Sequence, residues 1–141
     1  EDGVVKFRSM PGMTYAGMLS YIYAGVDRDD PRVKATVEWI RRNWQMERSN
    51  RNPEVKGTDK EKEGLFYMYN VMAKGLNAYG SDAIKLADEQ TINWRNELIK
   101  RLLNMQEEEG YWLNENGRYW ESNPFLVTSY AMLALESCLG K

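Results

Sequence analysis

The segment "GLFYMYNVMAKGLNAY", residues 64–79, decides the fold of this chain. Its only charged residue is Lys74, and Gly80 follows it as a helix C-terminal glycine would. Apolar and aromatic side chains occupy nearly every face of the helix that the segment predicts. A helix that is apolar all round must be covered by neighbours on both sides. We therefore expect residues 64–79 to lie in the interior.

Two more segments have the same character. Residues 13–24, "MTYAGMLSYIYA", contain no charge and end before Gly25. Residues 124–138, "PFLVTSYAMLALESC", predict a third apolar helix that begins at Pro124. The first and third segments are weakly similar, because Thr14, Met18 and Leu19 recur at the same spacing. Their counterparts are Thr128, Met132 and Leu133.

Two amphipathic helices separate the apolar segments. Residues 31–44 follow Asp30, a good N-cap, and begin with Pro31, a good first helical residue. Residues 92–107 predict the second amphipathic helix. Each carries one apolar stripe, which needs a neighbour on one side only. The stripes comprise Val33, Val37, Ile40 and Trp44 in the first helix, and Leu98, Ile99, Leu102 and Leu103 in the second.

The alternation of the two helix types predicts the architecture. Stretches with strand-like alternation are absent, so the class is all-α. A repeating helix pair of about fifty to sixty residues indicates a repeat fold, and the 141 residues fit a single domain, 1–141. Apolar helices inside and amphipathic helices outside satisfy both burial demands. The polar residues 46–63 predict a long loop.

Residues 102–112, "LLNMQEEEGYW", resemble the Gln-Trp repeat of squalene-hopene and oxidosqualene cyclases. Residues 34–40, "KATVEWI", resemble the first half of that repeat, although Trp44 stands where its glutamine is expected. The chain thus looks like an α/α toroid of the terpenoid cyclase and protein prenyltransferase superfamily. It is similar, more narrowly, to bacterial prenyltransferase or squalene-oxidase repeat proteins.

The resemblance implies a partial toroid of about two and a half helix pairs, and a C-terminal fragment of a longer ring. It also implies a structural role for Gln106, Gly110 and Trp112. The glutamine would bond backbone groups at a neighbouring helix end, and its amide would lie against the tryptophan. On physical grounds Gly110 permits the turn out of the helix. Trp112 supplies flat apolar area, and its indole N–H needs an acceptor.

The composition excludes several functions. The chain has no histidine, which removes most zinc sites and the commonest general base. We expect no metal and no cofactor, and the zinc site of protein prenyltransferases has no counterpart. The net charge of −2 disfavours nucleic acid as a partner. No apolar run is long enough to cross a bilayer. The compartment is left open, with export possible for a full-length protein.

The starts of the three apolar helices, residues 8–12, 57–64 and 118–124, should fall on one rim of a two-layer ring. Carboxylates beside aromatic rings at a cavity mouth suit cation stabilisation or paired-acid chemistry. The alternative is that these side chains are solvated loop residues and helix caps. The candidate rim residues are Arg8, Asp59, Glu61, Glu63, Tyr119, Trp120, Glu121 and Asn123.

Side chains on the apolar helices are candidates for a cavity wall. Asn70, Lys74 and Asn77 form a polar stripe that lines a wet lumen or faces bulk water. Aromatic and methionine positions on such helices more often belong to the core than to a binding wall. The candidate lining residues are Tyr15, Tyr69, Asn70 and Tyr130.

The motif "DRDD", residues 27–30, resembles the acid motif of squalene-hopene cyclases. It differs in two ways. Pro31 and Arg32 replace a Thr-Ala pair, and the motif precedes an amphipathic helix rather than an apolar one. We therefore interpret it as a charged first turn that complements the dipole of the helix at 31–44.

Three functions remain open at this point. The first is a domain that binds an apolar or isoprenoid-like molecule in a ring cavity, with or without catalysis. The second is a non-catalytic repeat scaffold for a protein partner. The third is a carbohydrate-processing α/α ring. A partial ring would leave apolar helix surface bare, which predicts self-association or a missing N-terminal part of the ring.

Overall fold

The computed structural model describes residues 10–140, and this part of the chain is mostly helical with one small two-stranded sheet. The predicted all-α class is confirmed at that level. Three 3-10 turns, Pro53–Val55, Asp59–Lys62 and Arg118–Trp120, interrupt the loops. The five helices are α1 (Pro11–Tyr23), α2 (Pro31–Asn43), α3 (Leu65–Tyr79), α4 (Trp94–Leu103) and α5 (Pro124–Cys138).

Local sequence sets the starts of the outer helices and of α5. The Oδ1 atom of Asp30 accepts a hydrogen bond from the Arg32 backbone N–H at 2.8 Å, so α2 has the predicted N-cap. Asn93 caps α4 and Asn123 caps α5 in the same way. Each side chain satisfies one of the N–H groups that a helix start leaves without a partner.

Helix α3 lies at the centre of the molecule. Ten of its 15 residues are buried, and α1 and α5 pack against it. Helix α2 packs against α1, whereas α4 packs mainly against α5. Only Val33 and Ile40 of α2 are buried. Of the three apolar segments only α3 therefore forms the interior. The prediction that α1 and α5 are also interior was wrong: they cover α3 on two sides, and with 4 of 13 and 5 of 15 residues buried each keeps an exposed face, as α4 does with 3 of 10.

Gly75 brings α1 and α3 into close contact. A Cβ atom at this position would lie 3.1 Å from the Tyr15 carbonyl oxygen and 3.1 Å from the Met18 Cε. That spacing is tighter than ordinary van der Waals contact, so a larger side chain would push the helices apart. Met18 is fully buried at this crossing.

The connection between α3 and α4 contains a β-hairpin that the sequence did not predict. Strand β1 (Ala83–Lys85) pairs antiparallel with β2 (Thr91–Asn93), with Ile84 opposite Ile92. Each strand has three residues, too few for a period-two pattern to stand out from a polar loop. The Arg41 side chain of α2 donates to the Lys85 carbonyl at 2.6 Å, so the hairpin is tied to the outer helix.

Helix α4 is shorter than predicted. It ends at Leu103, whose side chain is 55% exposed, so this residue does not extend the buried stripe of Leu98 and Leu102. The chain turns away from the core after this residue, and residues 104–110 form a loop on the surface.

Trp112 attaches the end of α4 to α5. Its indole N–H donates to the Leu102 carbonyl at 2.8 Å, and its backbone N–H donates to the Thr128 Oγ1 at 3.1 Å. The Leu102 carbonyl lies in the last turn of α4, where acceptors lack helical partners. Because Trp112 is only 4% exposed, it also fills the space between the two helices.

The Gln106 side chain acts within its own loop. Its Nε2 donates to the Gly110 carbonyl at 2.8 Å, and the side chain is exposed. The contact with a neighbouring helix end that the resemblance implied is therefore not made. Gly110 has φ of 90°, a left-handed conformation that permits the predicted turn.

We expect Trp112→Ala to lower the free energy of unfolding by about 3–5 kcal/mol, because it removes a large buried side chain and leaves a cavity. Trp112→Phe should lose less, since it keeps most of the buried area and loses one hydrogen bond. Chemical denaturation measures both. Asp27→Asn, at an exposed position, is the control and should change stability by less than about 0.5 kcal/mol. Equal effects for Trp112→Ala and Asp27→Asn would contradict this role.

Candidate functional site

A cavity of about 340 Å³ lies where α1 and α3 begin. The loop that precedes α5 closes one side of it, and the second turn of α5 contributes Tyr130. The polar wall residues are Ser49, Glu63 and Glu121. The remaining wall is glycine, methionine and tyrosine: Met10, Gly12, Met13, Gly64, Tyr67, Met68, Tyr119 and Tyr130.

A buried carboxylate organises this region. Glu121 is 0% exposed, and its oxygens accept hydrogen bonds from the backbone N–H groups of Phe66 at 3.2 Å and Tyr67 at 2.7 Å. The N-cap position of α3 is Gly64, which has no side chain to accept a hydrogen bond. Glu121 therefore caps α3 from a distant part of the chain, and its charge complements the helix dipole.

Asparagine side chains hold the loop of Glu121 against the turn before α3. Asn114 Nδ2 donates to Glu121 Oε2 at 2.6 Å and to the Lys62 carbonyl at 2.7 Å. Asn116 Nδ2 donates to the Asp59 carbonyl and to its carboxylate, each at 3.2 Å. Both asparagines are buried. The two loops thus form one hydrogen-bonded unit.

The backbone just before Glu121 is strained. Tyr119 and Trp120 have φ of 59° and 66°, left-handed values that non-glycine residues adopt at a cost of roughly 1–2 kcal/mol each. The hydrogen bonds of Glu121 offset that cost. The consequence is local: the Tyr119 ring is directed to the cavity wall, whereas the Trp120 ring is largely exposed.

The aromatic part of the wall is built by two helices. The Tyr67 ring of α3 and the Tyr130 ring of α5 meet edge to face, with centroids 6.2 Å apart. Tyr119 lies in the loop that precedes α5. A Cβ atom at Gly64 would lie 3.4 Å from its ring. Tyrosine rings have an apolar body and a negative face, so this wall accepts apolar groups and cations.

Glu63 is the polar group of the cavity with the fewest protein contacts. Its Oε2 lies 3.7 Å from Arg118 Nε and 3.4 Å from Asn50 Nδ2. Its backbone carbonyl accepts a hydrogen bond from Ser49 Oγ at 2.6 Å, which fixes the residue in place. The Glu63 side chain is 15% exposed, so the carboxylate lies mostly inside the wall.

The structure brings three of the predicted rim residues, Glu63, Tyr119 and Glu121, to the cavity. The other described rim residues serve the surrounding loops. Glu61 pairs with Arg48 at 3.0 Å, an interaction that lowers the pKa of its carboxyl. Asp59 accepts from Asn116 and Asn123 caps α5, whereas Trp120 points to solvent. Arg8 lies outside the described residues.

Tyr130 is the one predicted lining residue found at the cavity. Tyr15 and Tyr69 belong to the hydrophobic core, where they are 2% and 0% exposed. The Tyr69 hydroxyl donates to the Met46 carbonyl at 2.7 Å and accepts from Arg101 Nε at 3.0 Å. Burial raises the pKa of Tyr69 to about 12.

Asn70 is buried on α3, and its Oδ1 has no hydrogen-bond partner among the described residues. The other two members of its stripe behave differently. Asn77 accepts a hydrogen bond from Arg95 at 2.8 Å, and Lys74 is partly exposed. Of the polar stripe, Asn77 therefore has a protein partner, whereas Asn70 Oδ1 has none among the described residues.

The "DRDD" motif lies in the turn between α1 and α2, away from the cavity. Asp30 caps α2 and pairs with Arg32, and these contacts hold the pKa of its carboxyl down at about 2. Asp29 pairs with Lys34 at 2.8 Å. The motif therefore serves the first turn of α2, as its position predicted.

Sequence reasoning missed several contributors to the site. Met10 and Met13 supply thioether surface to the cavity, and Ser49 fixes Glu63. The two buried asparagines, Asn114 and Asn116, occur in "LNENGRYW" (residues 113–120), where two asparagines and a glycine suggest only a turn. Nothing in that local pattern distinguishes a side chain that bonds its own turn from one that bonds a loop more than fifty residues away.

Within residues 10–140 we found no cluster of three or more potential metal ligands. None of the helices described for the chain is long and apolar enough to cross a membrane. Comparison of the chain with protein-family models, with curated proteins and with solved structures returned no match.

We expect Glu121→Gln to lower the free energy of unfolding by about 1–3 kcal/mol at pH 7, since an amide offers one acceptor oxygen where two N–H groups need partners. Chemical denaturation of both proteins measures the difference. An unchanged stability would contradict the capping role.

The same variant carries a pH signature. Burial raises the pKa of the Glu121 carboxyl, so the folded state holds this proton more tightly than the unfolded state. Its contribution is greatest below the ordinary value near 4.5 and is lost as pH rises through the folded pKa. The stability of the native protein relative to Glu121→Gln should therefore fall as pH rises. A difference that stays constant with pH would contradict this assignment.

Proposed function

We propose that the chain is a repeat domain of the α/α-toroid type, similar to terpenoid cyclase and prenyltransferase repeat proteins, that binds an apolar or isoprenoid-like molecule. The observation that carries the proposal is the cavity of about 340 Å³ at the start of α1 and α3. It lies at the rim where the sequence placed the mouth of a ring. The packing of the apolar helices α1 and α5 against the buried α3 supports the proposed architecture.

The chemistry of the wall supports an apolar ligand. Sites for small molecules are concave and mostly apolar, with a few fixed polar groups that orient the ligand. Tyr67, Tyr130 and Met68 provide the apolar surface, and Glu63 provides a polar group. Methionine side chains adapt to irregular shapes, which suits a flexible hydrocarbon.

The proposal is one of binding. Glu121, the most buried carboxylate at the cavity, is occupied by the N–H groups of α3 and by Asn114. Its position is therefore explained by capping. Glu63 remains as the group that a ligand would meet.

We expect geraniol, an isoprenoid alcohol, to bind to the protein and to raise its melting temperature. Tyr130→Ala should weaken this binding about tenfold, because it removes a ring from the wall and the edge-to-face contact with Tyr67. Isothermal titration calorimetry measures the affinity. Tyr23→Ala, at an exposed position on α1, is the control and should leave it unchanged. Absence of binding by the native protein would refute the proposal.

A bare face of α5 favours a second role, as a scaffold that meets another copy of this chain. Phe125 is 84% and Met132 is 56% exposed. In the weak internal repeat Met132 corresponds to Met18, which α1 buries against α3. The face of α5 that repeats the packing face of α1 is thus uncovered. The α1 helix of a second copy offers an uncharged face with open space at Gly17.

We expect the native protein to self-associate in light-scattering measurements. Met132→Glu should shift it to monomer, because a charge at the centre of the apolar face opposes burial. Asn96→Glu, an exposed site on α4, adds the same charge elsewhere and should leave the association unchanged. A native monomer at all concentrations would refute this second role.

A further inference from the structure

We infer that the cavity takes an apolar molecule that bears a protonated amine. The inference rests on the proposed function, since it names the head group of the ligand that the same cavity binds. The charges of the wall and its aromatic faces point to this class.

The charged groups of the wall are all acidic. Glu63 and Glu121 line the cavity, and no lysine or arginine is among the described residues that line it. Glu121 is already neutralised in part by the N–H groups at the start of α3 and by Asn114. Glu63 has weaker support, so its carboxylate is the acceptor with the most to gain from a cation.

The hydrogen bonds of Glu63 leave one oxygen open. Oε2 lies near Asn50 and Arg118, at the longer limits of hydrogen-bond and ion-pair distances. Glu63 Oε1 is not among the buried side-chain atoms that lack a partner, so it is open to solvent. Because the two contacts of Oε2 are long, a ligand N–H at ordinary hydrogen-bond distance would bind this carboxylate more strongly than they do.

Arg118 competes for the same carboxylate, but from outside. Its side chain is 60% exposed and lies 3.7 Å from Glu63 Oε2. The guanidinium also rests over the Tyr119 ring, 5.1 Å from the centroid. Solvent weakens the pull of so exposed a cation. Glu63 and Tyr119 thus already contact one cation, the Arg118 guanidinium. Both side chains also line the cavity, and from that side they can contact a second cation, that of the ligand.

Aromatic faces extend the preference for a cation. Tyr67, Tyr119 and Tyr130 line the cavity. A ring face attracts an ammonium group by about 0.5–2 kcal/mol, more as water is excluded. The thioethers of Met10, Met13 and Met68 leave the hydrocarbon part of the ligand an apolar surface.

Three probes with one hydrocarbon body test the inference: geranylamine, geraniol and geranic acid. We expect geranylamine to bind about tenfold more tightly than geraniol, and geranic acid most weakly, in calorimetric titrations at pH 7. Glu63→Gln should remove the advantage of the amine, so that geranylamine and geraniol bind with affinities within about twofold of each other. Glu115→Gln, an exposed glutamate outside the cavity, makes the same change in net charge and is the matched control.

A second variant moves the result the other way. Arg118→Gln removes the competing cation, so it should tighten binding of geranylamine by about threefold and leave geraniol unchanged. It also keeps the test decisive if Glu63→Gln fails to fold, which circular dichroism reports.

Each outcome bears on a separate claim. Equal affinities for the three probes, with no effect of Glu63→Gln or Arg118→Gln, would overturn the amine inference and leave the apolar cavity intact. Tightest binding of geraniol or of geranic acid would overturn it as well. Binding of none of the probes would instead refute the proposed function.

Discussion

The fold depends on one long-range interaction, the capping of α3 by Glu121. The N-cap of the central helix is a glycine that offers no side-chain acceptor, and the required oxygens come from Glu121, 55 positions after the Phe66 N–H that it accepts from. A buried helix start without partners would expose its N–H groups to an apolar environment, which is strongly unfavourable. The carboxylate removes that penalty and fixes the loop before α5 at the same time. The cavity exists because the two loops meet at this point.

Much of the fold could be predicted because it rests on local patterns. Asp30, Pro31 and Gly80 mark helix ends by their own chemistry. The largely apolar run at 64–79, whose only charged residue is Lys74, identifies the buried helix without any knowledge of its neighbours. The hairpin around Ile84 escaped prediction because its strands are three residues long. The contact of Gln106 was expected across helices but forms within its own loop. The sequence shows that a glutamine is present, but the direction of its side chain in a surface loop depends on the surrounding backbone.

The sequence indicated where the candidate site lies, but it did not indicate the separate roles of its residues. The starts of the apolar helices indicated a rim, and Glu63, Tyr119 and Glu121 lie together at the cavity. The roles of these carboxylates differ, because Glu121 faces helix N–H groups whereas Glu63 faces the cavity. That difference is set by tertiary contacts with Asn114 and Ser49, which no spacing rule connects to them. Tyr69 shows the same limit. The sequence places it on a buried helix, but only the tertiary structure decides whether its ring faces the core or the cavity.

The distance along the chain between α3 and its cap affects how the protein is made. A ribosome completes α3 well before it reaches the codon for residue 121, so the nascent helix has its first turn unprotected during that interval. Closing a loop of more than fifty residues costs conformational entropy, and this cost grows slowly with loop length. The chain must meet it before Glu121 can contact the first turn of α3. The first turn of α3 therefore gains its cap only after residue 121 has emerged from the ribosome, and a chaperone that shields apolar helices would act before that point.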